Sequence, residues 1–216
     1  MSSQSIVIIA VAIFMGWFAV GMIYNLRRGD ATLKWMQDGL PLIGQRTSFR
    51  WLGSSVAEMS IGKAKRPFQR LDTLLVLMPR DVFWMTFLAL IQGRKDVIIF
   101  RGYLGIPPLL DMELADPTTW TGRTVIRQLT RRGWESKEYE GMQLMAPKGL
   151  INLAATTLER LAGPMRALAP RYARFGLRKT APNMEIHVPF PATKSTDANA
   201  YFRSLNDLGR AVGERN

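Results

Sequence analysis

The sequence predicts an α+β protein: a single N-terminal transmembrane helix, then a cytoplasmic domain with a ferredoxin-like βαββαβ core and a C-terminal helical and strand extension. Three observations lead there. Residues 6–26 form an apolar run without a charged side chain, residues 74–146 alternate β-rich runs with helical ones, and apolar residues beyond Pro147 recur at helical spacing. The expected organisation is a tail over residues 1–5, a transmembrane helix over 6–26 and a juxtamembrane linker over 27–45. An α+β domain over 46–146 and a basic C-terminal extension over 147–216, packed on the domain or on a partner, complete it.

The apolar run has 21 residues, which at ~1.5 Å each cover roughly 31 Å, the depth of a hydrocarbon core. A cleaved signal peptide would carry its positive charges ahead of a shorter apolar core, whereas here Arg27, Arg28 and Lys34 follow it. By the positive-inside rule the N-terminus is expected outside and everything after Arg27 in the cytoplasm, which places the protein in the plasma (inner) membrane as a single-pass chain. Ala12 and Gly16 make one small-xxx-small pair, read as ordinary small residues in an apolar span. Trp17 lies mid-span and not in an interfacial belt, which suits a contact with protein.

Asp30 is a candidate cap for a short helix through Gln37 that would bring Trp35 to the membrane surface, with Gly39, Pro41 and Gly44 closing a linker. Residues 49–61 read as one or two strands turning at Gly53. Residues 74–78 read as a buried strand, Asp81 as the cap of a helix over 82–92, and residues 96–104 as a second strand. Residues 109–114 make a third, Asp116-Pro117 opens a helix to Arg132, and residues 141–146 make a fourth. Taken in order these spell the split βαβ arrangement. Past Pro147 a helical pattern broken at Gly163-Pro164, a strand over 185–190 and a last helix capped by Asp197 follow.

Composition excludes several chemistries. The 216 residues hold no Cys and one His, so disulfides, thiolate metal sites, Cys nucleophiles and His-rich metal centres are out. His187 is read as a solvated strand residue without a Ser partner, since no Gly-x-Ser-x-Gly elbow is present. Asp111 and Glu113 alternate onto what is read as the wet face of a strand. Gly62-Lys63 lacks the earlier glycine of a phosphate loop, and no Gly-x-Gly-x-x-Gly occurs. No cofactor or metal is therefore expected.

What remains is charge and apolar surface. Lys and Arg number 29 against 17 Asp and Glu, a net charge of +12. Arg123, Arg127 and Arg131 fall at i, i+4 and i+8 on one helix face. Residues 147–179 hold seven basic side chains, among them Arg171, Arg174, Arg178 and Lys179, against one acid. Residues 82–93 are twelve without a charge, and their helix is too short to span a bilayer; a core position is favoured over presenting Phe83, Trp84 and Phe87 to lipid or a partner. The expected contact residues are these, with Trp17, Arg27, Arg28 and Trp35. The expected function is that of a membrane-anchored, non-catalytic accessory or scaffold subunit that docks integral membrane proteins and anionic phospholipid, with nucleic acid disfavoured. Two other readings stay open: a membrane-tethered enzyme on a phosphorylated or lipid substrate, using Asp111 and Glu113 with Arg101 or Arg123, and an anionic-lipid sensor.

Overall fold

A computed structural model of the chain describes residues 2–214; the outermost positions of the expected tail and C-terminal extension, residues 1 and 215–216, lie outside the described residues. The first element, α1, is one helix over Ser3–Ile43, 41 residues long. It begins at Ser2, whose hydroxyl accepts the Ser5 N–H, and ends at Gly44. Residues 3–5 of the expected tail and 27–43 of the expected linker are thus helical, and the last two linker residues open the first strand. Pro41 lies in the last turn, where its missing N–H costs one hydrogen bond and breaks nothing downstream. Gly39 continues the helix because it is a contact: a Cβ there would lie 2.4 Å from the Phe202 ring.

Among the described residues nine strands follow in a single sheet. They are β1 (Gly44–Trp51), β2 (Val56–Ala64), β3 (Phe68–Val76), β4 (Val97–Leu104), β5 (Met112–Ala115), β6 (Glu135–Tyr139), β7 (Met142–Ala146), β8 (Arg174–Leu177) and β9 (Met184–Pro189). Four further helices are α2 (Phe83–Ile91), α3 (Trp120–Arg131), α4 (Ile151–Leu168) and α5 (Ala198–Gly213). The spatial order is β1-β2-β3-β4-β9-β8-β5-β7-β6, with every neighbouring pair antiparallel.

This order departs from the expected ferredoxin-like one. A split βαβ unit needs the strands flanking its first helix to run parallel with another strand between them. Here β3 and β4 are direct antiparallel neighbours, and α2 projects from the connection between them. The C-terminal segment, expected as an extension, supplies β8 and β9 to the middle of the sheet. β8 escaped the sequence reading because Arg-Phe-Gly-Leu is too short to show alternation. β6 was also missed: its Glu-Ser-Lys-Glu-Tyr sequence is nearly all polar. The signal that marks it is the Glu140-Gly141 turn, with φ of 49° and 75°, the two positive values that a tight two-residue hairpin needs.

Side chains alternate across the sheet with period two. Ile61, Leu71, Leu75, Ile98, Phe100, Met112, Leu144, Phe175 and Ile186 line one face, and α1, α4 and α5 cover it in a single core with Met36, Leu158 and Phe202. Pro164 lies inside an unbroken α4, so the expected interruption does not occur. Asp197 caps α5 as expected, accepting the Asn199 and Ala200 N–H groups. On the opposite face α3 covers only the β5–β7 end, through Val125, Leu129 and Met145. α3 starts at Trp120 under a Thr119 cap, with Asp116 one turn earlier.

Candidate membrane-contact site

The two ends of α1 have different surroundings. An 18-residue stretch of its outer part has a mean hydropathy of 2.7 and is 6% buried, long and apolar enough to cross a membrane. From Gly21 on, Gly21, Asn25, Gly29, Thr32, Met36, Gly39 and Ile43 are buried, a stripe at three- and four-residue steps. The glycines in that stripe are close approaches: a Cβ would lie 2.1 Å from the Arg80 carbonyl oxygen at Gly21 and 2.4 Å from the Trp51 ring at Gly29.

Where the stripe begins, a buried polar knot locks α1 to the β3–β4 connection. Asn25 donates to the Met78 carbonyl at 2.9 Å and accepts from Arg80 at 3.1 Å. Asp96 accepts both Arg80 nitrogens, at 2.9 and 3.0 Å, and the Met78 N–H at 2.8 Å. Arg28 adds a contact to Asp96 at 2.5 Å and stacks over Phe190, while Arg80 stacks over Tyr24. Every oxygen of the buried Asp96 carboxylate has a cation, which is the condition for keeping such a charge out of water.

Beyond the knot α2 stands clear of the domain, and the expected core position is corrected. Only Ala89 is buried in α2, while Phe83, Trp84 and Phe87 are 50%, 61% and 60% exposed. Its N-cap is Val82, without a side-chain cap; the expected cap, Asp81, instead accepts the Ser54 hydroxyl at 2.5 Å. Phe83 meets Trp17 edge to face, ring centroids 5.2 Å apart, so the apolar surfaces of α1 and α2 are continuous.

Cations ring the base of this unit. Arg27 is exposed and, with Arg28 and Lys194, borders an open groove beside Val20 and Ile23. On the α2 side a cleft of about 240 Å³ is edged by Arg94, Lys95 and Arg171, with Trp120 beneath Arg94 at 4.0 Å. Arg123 reaches over to the Gln92 carbonyl at 3.4 Å and the Thr118 carbonyl at 2.7 Å. Arg127 and Arg131 continue the exposed face of α3, as expected.

Three expected contact residues are placed elsewhere. Trp35 is core, 7% exposed, its indole donating to the Thr196 carbonyl at 2.7 Å and packed on Tyr201. Arg174 and Arg178 are half-buried partners of Glu113, on the sheet face that α3 leaves open. Glu113 itself is wholly buried, against the expectation of a wet position. Gly176 makes the space for it, since a Cβ there would lie 2.7 Å from Glu113 Oε2. Asp111 precedes the strand and accepts the Lys179 N–H at 2.7 Å, while the partners of Glu113 are Arg174 and Arg178; the exposed Lys179 is thereby fixed by its backbone.

His187, expected in solvent, is also buried, with Nε2 2.7 Å from Glu185 Oε1. Arg101, Glu185, Arg174, Glu113 and Arg178 alternate in sign across β4, β9, β8 and β5. Burial alone would raise the Glu185 carboxyl; the hydrogen bond from His187 and the charges of Arg174, His187 and Arg101 overcome it and hold the group down at about 2. Burial works against the Arg174 charge as well, but Glu113 and Glu185 more than restore it and raise its pKa. This is a structural ladder whose charges satisfy one another. Among the described residues no three His, Asp or Glu side chains could hold a metal ion together.

Compared with known proteins, the chain matches no family model, and its sequence finds no significant match among curated proteins.

Proposed function

We propose that this chain is a membrane-anchored, non-catalytic accessory or scaffold subunit. In this reading α1 spans the plasma (inner) membrane with its N-terminus outside, and the domain stands on the cytoplasmic side. There it docks integral membrane partners and anionic phospholipid through its basic surface. The observation that carries the reading is the unbroken α1, bare and apolar at one end and part of the core at the other. Such a helix sets the domain in one posture on the membrane, which a flexible tether does not do, and a fixed posture suits a part that positions other subunits. Arg27 and Arg28 directly after the apolar run support the orientation. Packing of the same helix from Gly21 to Ile43 also disfavours a removable leader, because cleavage after the apolar run would cut into a helix that the core needs.

The test is gentle detergent extraction from native membranes, followed by sizing and mass spectrometry of what travels with the chain. Stoichiometric integral membrane partners are expected. A lone particle of the size of one chain plus detergent would overturn the scaffold reading and leave an anionic-lipid sensor as the heir, one whose vesicle binding falls steeply with salt.

A further inference from the structure

The scaffold reading counts Phe83, Trp84 and Phe87 of the apolar helix α2 among its contacts without saying what covers them, and the surroundings of α2 do say. Phe83, Trp84, Met85, Phe87, Leu88, Leu90 and Ile91 are between 46% and 68% exposed, and they cover all of the nine-residue helix except the narrow face of Thr86 and Ala89. A helix that docks on a protein carries one apolar stripe and a polar back. α2 has no polar back. Its one polar side chain, Thr86, turns its hydroxyl onto its own chain, at 2.7 Å from the Pro79 carbonyl and 3.0 Å from that of Val82. Satisfying a hydroxyl internally is what a helix needs where no water is present.

The placement agrees. Both ends of the excursion close on Asp96, through the Met78 N–H and Arg80, so the chain leaves and returns at the level of Asn25 and Arg28 on α1. Between these points it reaches Trp17. Trp17 lies eleven residues before Arg28, which is about 16 Å along the helix axis and about half the thickness of a hydrocarbon core. Arg80 and Asp81 precede the uncharged stretch, and Arg94 and Lys95 follow it.

We propose that α2 is a re-entrant membrane helix: it enters the acyl-chain region beside α1 and returns on the same side, and the lipid of the bilayer is its partner. The proposal rests on the reading of α1 as a membrane span. The cleft edged by Arg94, Lys95 and Arg171 then stands at headgroup level, where cations are drawn to an anionic surface. The protein therefore grips the membrane with two elements, and the knot of Asn25, Arg80 and Asp96 fixes the distance between them.

Because the chain has no Cys, a single thiol can be placed at will in the full-length protein. Leu90→Cys and, as a second position in α2, Trp84→Cys would carry an environment-sensitive fluorophore. Val11→Cys would report on α1 and Ser136→Cys on the exposed edge of the domain. Each purified variant is reconstituted into vesicles of phosphatidylcholine and phosphatidylglycerol. Spin-labelled lipid should quench the probes at residues 90, 84 and 11 at least several-fold more than aqueous iodide does, and the probe at 136 should show the reverse. Iodide quenching at 90 and 84 with lipid quenching retained at 11 would overturn the re-entrant helix and leave the α1 span standing. Iodide quenching at all four positions would remove both. Probes at 90 and 84 shielded from both quenchers would show α2 covered by protein, a second copy of the chain, and would also overturn the proposal.

Discussion

The two halves of α1 are one helix in two environments. Of residues 3–20 all but Ser5 are exposed, whereas from Gly21 a buried residue recurs about every third or fourth position down to Ile43. The outer half is the more apolar of the two, yet the inner half belongs to the core. Hydrophobicity therefore does not mark the contact; small and shape-matched residues do, since Gly21, Gly29 and Gly39 bring backbone and aromatic rings within reach of the helix axis. The difference also separates α2 from α5. α5 buries Tyr201, Phe202, Leu205 and Leu208 on one side and shows a polar back, whereas α2 buries Ala89 alone. An apolar helix left bare by its own domain points to a second solvent.

The largest effect should come from cutting α1 at different points. Removal of residues 1–20 is expected to leave a domain that keeps its near-ultraviolet dichroism and melts cooperatively in mild detergent. Removal of residues 1–43 takes Trp35, Met36, Leu40 and Ile43 out of the core. Large buried side chains are worth about 2–5 kcal/mol each, so four of them rival the ~5–15 kcal/mol of a whole domain. No cooperative transition should remain. Equal melting of the two truncations would erase the distinction between the halves.

A smaller change sharpens the same contrast within one residue type. At Gly39 a Cβ would lie 2.4 Å from the Phe202 ring and 2.7 Å from the Ala198 carbonyl oxygen, while at Gly16 nothing lies within 4 Å. Gly39→Ala should cost about 1–3 kcal/mol by overpacking, measured by chemical denaturation in detergent. Gly16→Ala should cost nothing measurable there. Loss at position 16 and not at 39 would contradict the packing described.

The smallest effect separates domain from anchor by pH. The Glu185 carboxyl is held at about 2 in the folded protein, below the ~4.3 of a free Glu side chain. Its contribution is therefore complete above the unfolded value and is lost as pH falls from there toward 2. The melting temperature of the domain should drop through that window, and Glu185→Gln should flatten this part of the profile. Retention of the chain in membranes over the same window should not change, because no carboxylate lies in the apolar run.

Much of the molecule was legible in the sequence. The apolar run, β4, β7, β9, α3 and the Asp197-capped α5 all have end signals or alternation long enough to read. The topology was not. Pairing of β3 with β4, and insertion of β8 and β9 between β4 and β5, depend on long-range contacts to which local periodicity is blind. At the candidate site, Trp17, Arg27, Arg28 and the arginines of α3 are surface residues as read, whereas Phe83, Trp84 and Phe87, for which the sequence favours a core position, are exposed because their own domain does not cover α2. Trp35, Arg174 and Arg178 are not, because exposure of an aromatic or a cation follows from partners far away in sequence: Thr196 and Tyr201 for Trp35, Glu113 for the arginines. Asn25 and Asp96, which lock α1 to the β3–β4 connection, carried no signal beyond being polar residues next to apolar runs.

The most direct test of the anchor is alkaline carbonate extraction of native membranes, with the mass of the retained chain read out intact. The outer half of α1 as a lipid-embedded span predicts that the chain stays in the membrane pellet at its full mass of 24.4 kDa. Release into the supernatant, or a retained product shortened by the length of the apolar run, would contradict it.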